Sequence, residues 1–197
     1  MHERIIGLYE ENAAAWDRQR GRDLHERAWL ERFAALLPEG GRVLDIGCGM
    51  GEPIAAWLIG RGFRVTGIDS SPSLVAMARE RFPNHAWKAA DMRELALGER
   101  FDGLIAWHSV FHLRQEDQRP MFARFAAHAG PGAALMFTSG EEEGERIGEW
   151  RGEPLYHASL DPAEYRRLLA DNGFAVVEHK LRDPDCGESN VWLAQRS

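Results

Sequence analysis

Apolar positions near the start of the chain recur at helical spacing, Ile5, Ile6, Leu8 and Tyr9 and then Leu30, Phe33, Ala34 and Leu37. This spacing predicts two amphipathic helices, over about residues 2–20 and 24–37, with Pro38 and Gly40-Gly41 stopping the second. Beyond residue 41 the pattern changes to short apolar runs: Val43–Ile46, Phe63–Ile68, His85–Ala90, Phe101–Trp107 and Ala133–Thr138. Runs of this length alternating with helical stretches predict parallel strands joined by crossover helices. Two more strand-like runs, Phe174–Lys180 and Val191–Ala194, have turn formers between them and no helix, which predicts an antiparallel hairpin. The expected fold is therefore α/β, a doubly wound, mostly parallel seven-stranded sheet with a C-terminal antiparallel hairpin and helices on both faces.

Capping residues sharpen two of the helices. Ser71-Pro72 places a hydroxyl acceptor before a proline at the first helical position. Asp161-Pro162-Ala163-Glu164 predicts a capping box in which Asp161 bonds the third helical N–H and Glu164 reaches back, with Asn172-Gly173 as the stop. Residues 139–160 show no clear period and predict a long irregular segment. A stretch of that length without structure points to a role in function.

At 197 residues the chain suits one domain, divided into a helical cap over 1–40, a core over 41–140, and an insertion with the hairpin over 141–197. Net charge −7 removes the basic footprint of a nucleic-acid binder. Two cysteines, Cys48 and Cys186, make no disulfide framework, and no run approaches the ~18 apolar residues of a membrane span. A cytoplasmic protein is expected, without nucleic-acid or membrane partners, and a homodimer stays open.

The most informative segment is Val43-Leu44-Asp45-Ile46-Gly47-Cys48-Gly49-Met50-Gly51, a strand running into three alternating glycines before a helix over Ile54–Ile59. Such a turn admits positive φ and lets a ligand approach the backbone beside unpaired helical N–H groups. A dinucleotide fingerprint would place glycine where Glu52 stands, and a phosphate loop would end in Gly-Lys-Ser/Thr, which is absent. Asp45 and Glu52 favour a ligand with a cationic head and no phosphate.

Asp45-Ile46-Gly47-Cys48-Gly49-Met50-Gly51 resembles motif I of the class I S-adenosylmethionine-dependent methyltransferases. The resemblance continues in order through Gly67-Ile68-Asp69-Ser70, Ala89-Ala90-Asp91-Met92, Phe101–Ala106 and Pro131-Gly132. It implies S-adenosylmethionine as cofactor, Asp69 and Ser70 at the ribose, Asp91 and Met92 at the adenine, and contacts from Asp45, Gly47, Cys48, Gly49, Gly51 and Trp107. It also implies methyl transfer to a small molecule through an O, N or S nucleophile. A protein or RNA methyltransferase and a non-catalytic cofactor-binding module are the alternatives.

Alignment with an activated methyl group needs little acid–base machinery, and histidine has the suitable pKa where a base is required. His108 and His112 follow the fourth strand, four residues apart, and would share a face if the segment were helical. No third ligand accompanies them, so no metal is expected. Tyr9 and Trp16, seven apart, are expected to close over the site. Trp150, Tyr156 and His157 are expected to line the acceptor pocket, and the Glu141–Glu145 run favours a neutral or amine acceptor.

Overall fold

The computed structural model describes residues 4–197. Its chain order is α1 (Arg4–Glu11), α2 (Ala13–Gln19), α3 (Arg27–Ala35), β1 (Arg42–Ile46), α4 (Ile54–Gly60), β2 (Arg64–Asp69), α5 (Pro72–Arg81), β3 (Ala86–Ala89) and β4 (Phe101–Ala106). There follow α6 (Gln115–His128), β5 (Ala129–Ser139), β6 (Gly144–Trp150), β7 (Glu153–Ser159), α7 (Pro162–Asp171), β8 (Phe174–Asp183) and β9 (Ser189–Arg196).

Seven strands form one sheet in the order β3-β2-β1-β4-β5-β9-β8. All neighbours from β3 to β5 run parallel, while β9 is antiparallel to both β5 and β8. Strand alternation divides the interior in two. Leu44, Ile46, Leu104, Leu135, Phe137 and Trp192 pack with Met121, Phe122 and Phe125 of α6 and Tyr165 of α7. Val43, Ile105, Met136 and Leu193 point the other way, against Trp29 and Phe33 of α3, Leu58 of α4 and Val75 of α5. A strand buried on both faces needs both parities apolar, which explains why the central strands read as nearly continuous hydrophobic runs.

Several local expectations are corrected. The helix anticipated over 2–20 is two helices within the described residues, broken at Asn12, whose amide turns back to the Leu8 carbonyl. Ser71 caps α5 through Leu74 N–H at 3.2 Å, as its hydroxyl suggested. Asp161 instead bonds the second helical N–H, that of Ala163, at 2.7 Å. Glu164 does not reach back, because Arg119 on α6 draws it into two hydrogen bonds of 2.8 and 3.1 Å.

The largest departure is residues 139–160. Most of this segment is an antiparallel hairpin, β6–β7, separate from the main sheet. Its turn residues Arg151 and Gly152 both have positive φ, 57° and 80°, the arrangement that matches strand twist across a two-residue loop. The strand Gly144–Trp150 is exposed along nearly its whole length, so neither face carried an apolar alternation. β7 supplies the packing: Tyr156 and Ala158 meet Ile5 of α1 in a small cluster of their own.

Candidate cofactor and acceptor site

The sheet order reverses at β1, which has β2 on one side and β4 on the other, and ligands in doubly wound folds collect at the carboxyl ends of such strands. A cavity of about 360 Å³ lies there, covered by α1, α2 and the tip of the β6–β7 hairpin. The turn after β1 forms its floor. Gly47, Gly49 and Gly51 have φ of 81°, 54° and 81°, which L side chains rarely adopt. Gly47 is further fixed by crowding, since a Cβ there would lie 2.4 Å from Ser109 Cβ.

Of the residues expected at a cofactor, Asp45, Gly47, Cys48, Gly49, Asp69, Ser70, Asp91, Met92 and Trp107 all line this cavity. Gly51 does not; it packs against Phe82 and Trp87 and shapes the turn from behind. Cys48 is buried, and its thiol is raised well above the usual range by loss of hydration and the neighbouring Asp45 and Asp69. It is an inert wall.

Asp45 and Asp69 differ in how they are held. Asp69 accepts from Gly49 N–H at 2.8 Å and Ser71 N–H at 2.9 Å, so its carboxylate ties the glycine turn to the start of α5. Those bonds oppose a larger desolvation effect that raises its pKa. Asp45 is 4% exposed and lines the cavity. Burial, with Asp69 nearby, pushes it up to about 7. A buried carboxylate without an opposite charge beside it is costly, and a cation arriving there would remove much of that cost.

Asp91 lines the cavity and is also engaged locally. It accepts from Arg93 N–H at 2.8 Å and pairs with the Arg93 guanidinium, so much of its hydrogen-bonding capacity is used locally. Burial works to raise this carboxyl, and the Arg93 bonds outweigh it, leaving it below the usual range. Glu52, at the start of α4, is bound by Arg22 and Arg81, and both arginines also hold Asp17 of α2. Glu10 of α1 accepts from Ser71 Oγ and from the N–H and hydroxyl of Ser73 on α5. The two N-terminal helices are thereby fastened across the cofactor end of the cavity.

His108 and His112 do not share a helical face. His108 adopts φ 48°, and only Val110–His112 turns, as a short 3-10 segment. Both still reach the cavity. His108 Nε2 lies 3.1 Å from Ser189 Oγ at the start of β9. Desolvation and the Arg20 charge lower its pKa, and the residue's exposure to solvent tempers both effects. His112 is better defined. Its Nδ1 lies 2.9 Å from the Tyr156 carbonyl oxygen, which can only accept, so Nδ1 carries the hydrogen and Nε2 presents its lone pair. The Tyr9 hydroxyl donates to that Nε2 at 3.2 Å. Burial pushes the His112 pKa down to about 4, so the ring is neutral at pH 7.

Tyr9, Trp16, Trp150 and His157 also line the cavity. Tyr9 meets Trp16 edge-on at 5.2 Å despite the helix break, and Trp150 stacks on Tyr9 at 5.6 Å. Tyr156 is corrected: its side chain turns away to pack with Ile5 and bond Glu145, and only its backbone carbonyl serves the site, through His112. Sequence reasoning missed Arg20 and Phe111. Arg20 follows Trp16 by four residues, a helical spacing that brings it to the same cavity, and its guanidinium bonds Glu26 at 3.1 Å and the Gly21 carbonyl at 3.2 Å. Phe111 stands between the two histidines and lines the same cavity.

A family model described as methyltransferase domain matches residues 16–179. The chain belongs to the methyltransferase domain family. It is 30% identical over 192 residues to an S-adenosyl-L-methionine-dependent Diels-Alderase of Neonectria sp. (strain DH2), covering 89% of this chain and 75% of that one. To an O-methyltransferase of Pyrenophora dematioidea it is 28% identical over 166 residues, 78% of this chain and 61% of the relative. It spans less than half the length of several other curated relatives that it matches. Among solved structures, magnesium protoporphyrin IX methyltransferase from Synechocystis PCC 6803 with bound S-adenosylhomocysteine superposes with TM-score 0.76 at 20% identity, over 100% of this chain and 99% of that one. That likeness establishes the Rossmann-like methyltransferase fold. Among the described residues no cluster of three or more His, Cys, Asp or Glu could hold a metal ion, and no helix is long and apolar enough to cross a membrane.

Proposed function

We propose that this family member binds S-adenosylmethionine in the cavity beside β1 and transfers its methyl group to a small molecule held under α1, α2 and the hairpin tip. The observation that carries this reading is the buried Asp45 carboxylate, with no opposite charge beside it, at a turn of three positive-φ glycines that lines the cavity. A carboxylate acceptor there fits an amino-acid ammonium. Arg20, on the same cavity, has N–H groups left over after Glu26 and Gly21 and suits the accompanying carboxylate. Asp69 keeps lone pairs for ribose hydroxyls beyond its two backbone bonds, while Trp107 and Met92 give apolar walls.

When bound, the cofactor supplies an already activated methyl group on sulfur. The protein's work is to orient the acceptor, exclude water and take a proton. Tyr9, Trp16 and Trp150 close the cavity, and His112 Nε2 is the acceptor of the proton, its tautomer fixed by the Tyr156 carbonyl. His108 contacts substrate through its exposed ring. The net charge of −7 supports a small-molecule acceptor over RNA.

Ultraviolet cross-linking with methyl-tritiated S-adenosylmethionine tests the placement. Label should map to peptides carrying residues 4–20, 45–52 or 107–113 and be chased by excess S-adenosylhomocysteine. Label elsewhere, or label that is not chased, contradicts the site. A second reading, cofactor-dependent chemistry without methyl transfer, is favoured by the Diels-Alderase relative. It predicts that the tritium stays on the cofactor during turnover.

A further inference from the structure

We propose that the acceptor is a flat aromatic molecule whose nucleophile is a ring hydroxyl, a phenol or enol, and that it enters by displacing the Tyr9 hydroxyl from His112. This inference rests on the cofactor reading above. It follows from how charge, hydrogen-bond polarity and ring faces are distributed within one cavity.

Among the described residues, the four carboxylates lining the cavity, Asp45, Glu52, Asp69 and Asp91, come from β1 and its turn and from the ends of β2 and β3. The opposite wall, from α1, the segment after β4 and the β6–β7 hairpin, contributes apolar and aromatic side chains, histidines and Ser109, and no carboxylate among the described residues. An alkyl amine nucleophile reaches the protein as an ammonium ion and needs an anion beside it. That wall has none to give. A carboxylate nucleophile would need a fixed cation; of the two arginines that line the cavity among the described residues, Arg93 is paired with Asp91, and Arg20 is occupied by Glu26 and, in the reading above, by the cofactor's own carboxylate.

The hydrogen-bond polarity of His112 selects further. With Nδ1–H held by the Tyr156 carbonyl, Nε2 can only accept, and what it accepts in this structure is an aromatic O–H, that of Tyr9. An acceptor's hydroxyl making the same bond would present the same kind of donor to the same lone pair. The ring is a weak base, pushed down to about 4 by burial. A weak base can take a proton only from an acidic hydroxyl: a phenol near ~10 is within reach as methyl transfer proceeds, an alkyl hydroxyl near water's ~15.7 is not.

Ring faces complete the selection. Phe111 and His157 each pack on His112 with centroids 4.9 Å away, and Phe111 meets His157 at 5.1 Å. Trp150 stacks on Tyr9 at 26° between planes. The hydroxyl under selection is thus surrounded by π faces, which suit a planar ring at stacking separations. In the transfer the acceptor O–CH3 bond forms as the sulfonium S–CH3 bond breaks. The hydroxyl proton passes to His112 Nε2, and the resulting imidazolium keeps its Nδ1–H on the Tyr156 carbonyl until product leaves and the proton goes to water.

The test uses three matched probes, 2-naphthol, 2-naphthylmethylamine and 2-naphthoate, titrated calorimetrically into the full chain saturated with S-adenosylhomocysteine. The naphthol should bind at least about tenfold more tightly than either of the others, a clear discrimination for a single polar group. His112→Phe should remove that preference while changing S-adenosylhomocysteine affinity less than about twofold, and Tyr9→Phe should leave naphthol affinity equal or higher because the competing hydroxyl is gone. Equal or tighter binding of the amine or the carboxylate, or a naphthol preference that survives His112→Phe, overturns the proposal while the cofactor reading stands. Failure of S-adenosylhomocysteine to bind the wild-type chain overturns both.

Discussion

Replacing Asp45 by asparagine should stabilise the ligand-free protein at alkaline pH, the reverse of what removing a buried polar group usually does. The folded chain holds the Asp45 carboxyl at about 7, against an ordinary 3.8, because it is buried and has Asp69 nearby. A folded state with the higher pKa binds the proton more tightly than the unfolded chain. Stability from this group is therefore fully present below pH 3.8, declines as pH rises to about 7, and is flat above. At 1.36 kcal/mol per pH unit the whole range is worth about 4 kcal/mol, and the part between pH 5 and pH 8 about 3 kcal/mol. The asparagine amide brings its own unsatisfied cost of about 1–3 kcal/mol, but that cost is the same at both pH values and cancels when they are compared. Urea unfolding of both proteins at pH 5 and pH 8 should thus show the variant gaining about 2–3 kcal/mol relative to wild type on going to the higher pH. The same variant should bind S-adenosylhomocysteine about ten- to a hundredfold more weakly, since the ammonium loses its anion. A stability difference that does not change between the two pH values would refute the reasoning: Asp45 would then have a partner or a hydration that keeps it ionised.

Other predictions concern the remaining walls. Arg20→Met should weaken S-adenosylhomocysteine by about 1–3 kcal/mol while leaving adenosine binding unchanged, read by competition calorimetry. Asp69→Asn leaves the amide oxygen to serve only one of Gly49 and Ser71 N–H well, so cofactor affinity should fall by about tenfold or more in a chain whose circular dichroism is unaltered. Gly47→Ala combines φ 81° with a Cβ 2.4 Å from Ser109 and should cost about 2–4 kcal/mol in a urea titration; a near-neutral result would mean the turn can relax.

The parts of the fold that could be read from the sequence share a physical cause. Val43–Ile46 and Phe101–Ala106 are buried on both faces, so their burial is written directly into consecutive residues. The three glycines are legible because their backbone angles tolerate little else. The β6–β7 hairpin was hidden because Gly144-Glu145-Arg146-Ile147-Gly148-Glu149 is exposed on both sides and earns its place through β7 and α1 rather than through the main core. Side-chain identity also failed to indicate direction. Tyr156 and His157 are adjacent, yet strand alternation sends the tyrosine into its own small cluster and the histidine into the cavity, a choice of register that the irregular reading of 139–160 could not make. Asp91 reads as a ligand-facing acid and does line the cavity, while Arg93 two residues on also makes it a cap and ion pair, which the spacing alone does not give. Arg20 was missed because its role depends on where α2 crosses the sheet, which the helix period alone does not give.

The central claim is that the cavity beside β1 is a site for S-adenosylmethionine, and calorimetric titration with S-adenosylhomocysteine, with NADH as the control, tests it most directly. Saturable one-site binding of S-adenosylhomocysteine, weakened by Asp45→Asn and Arg20→Met, is expected, with no binding of NADH. Binding of NADH, or S-adenosylhomocysteine binding that neither substitution changes, would contradict it.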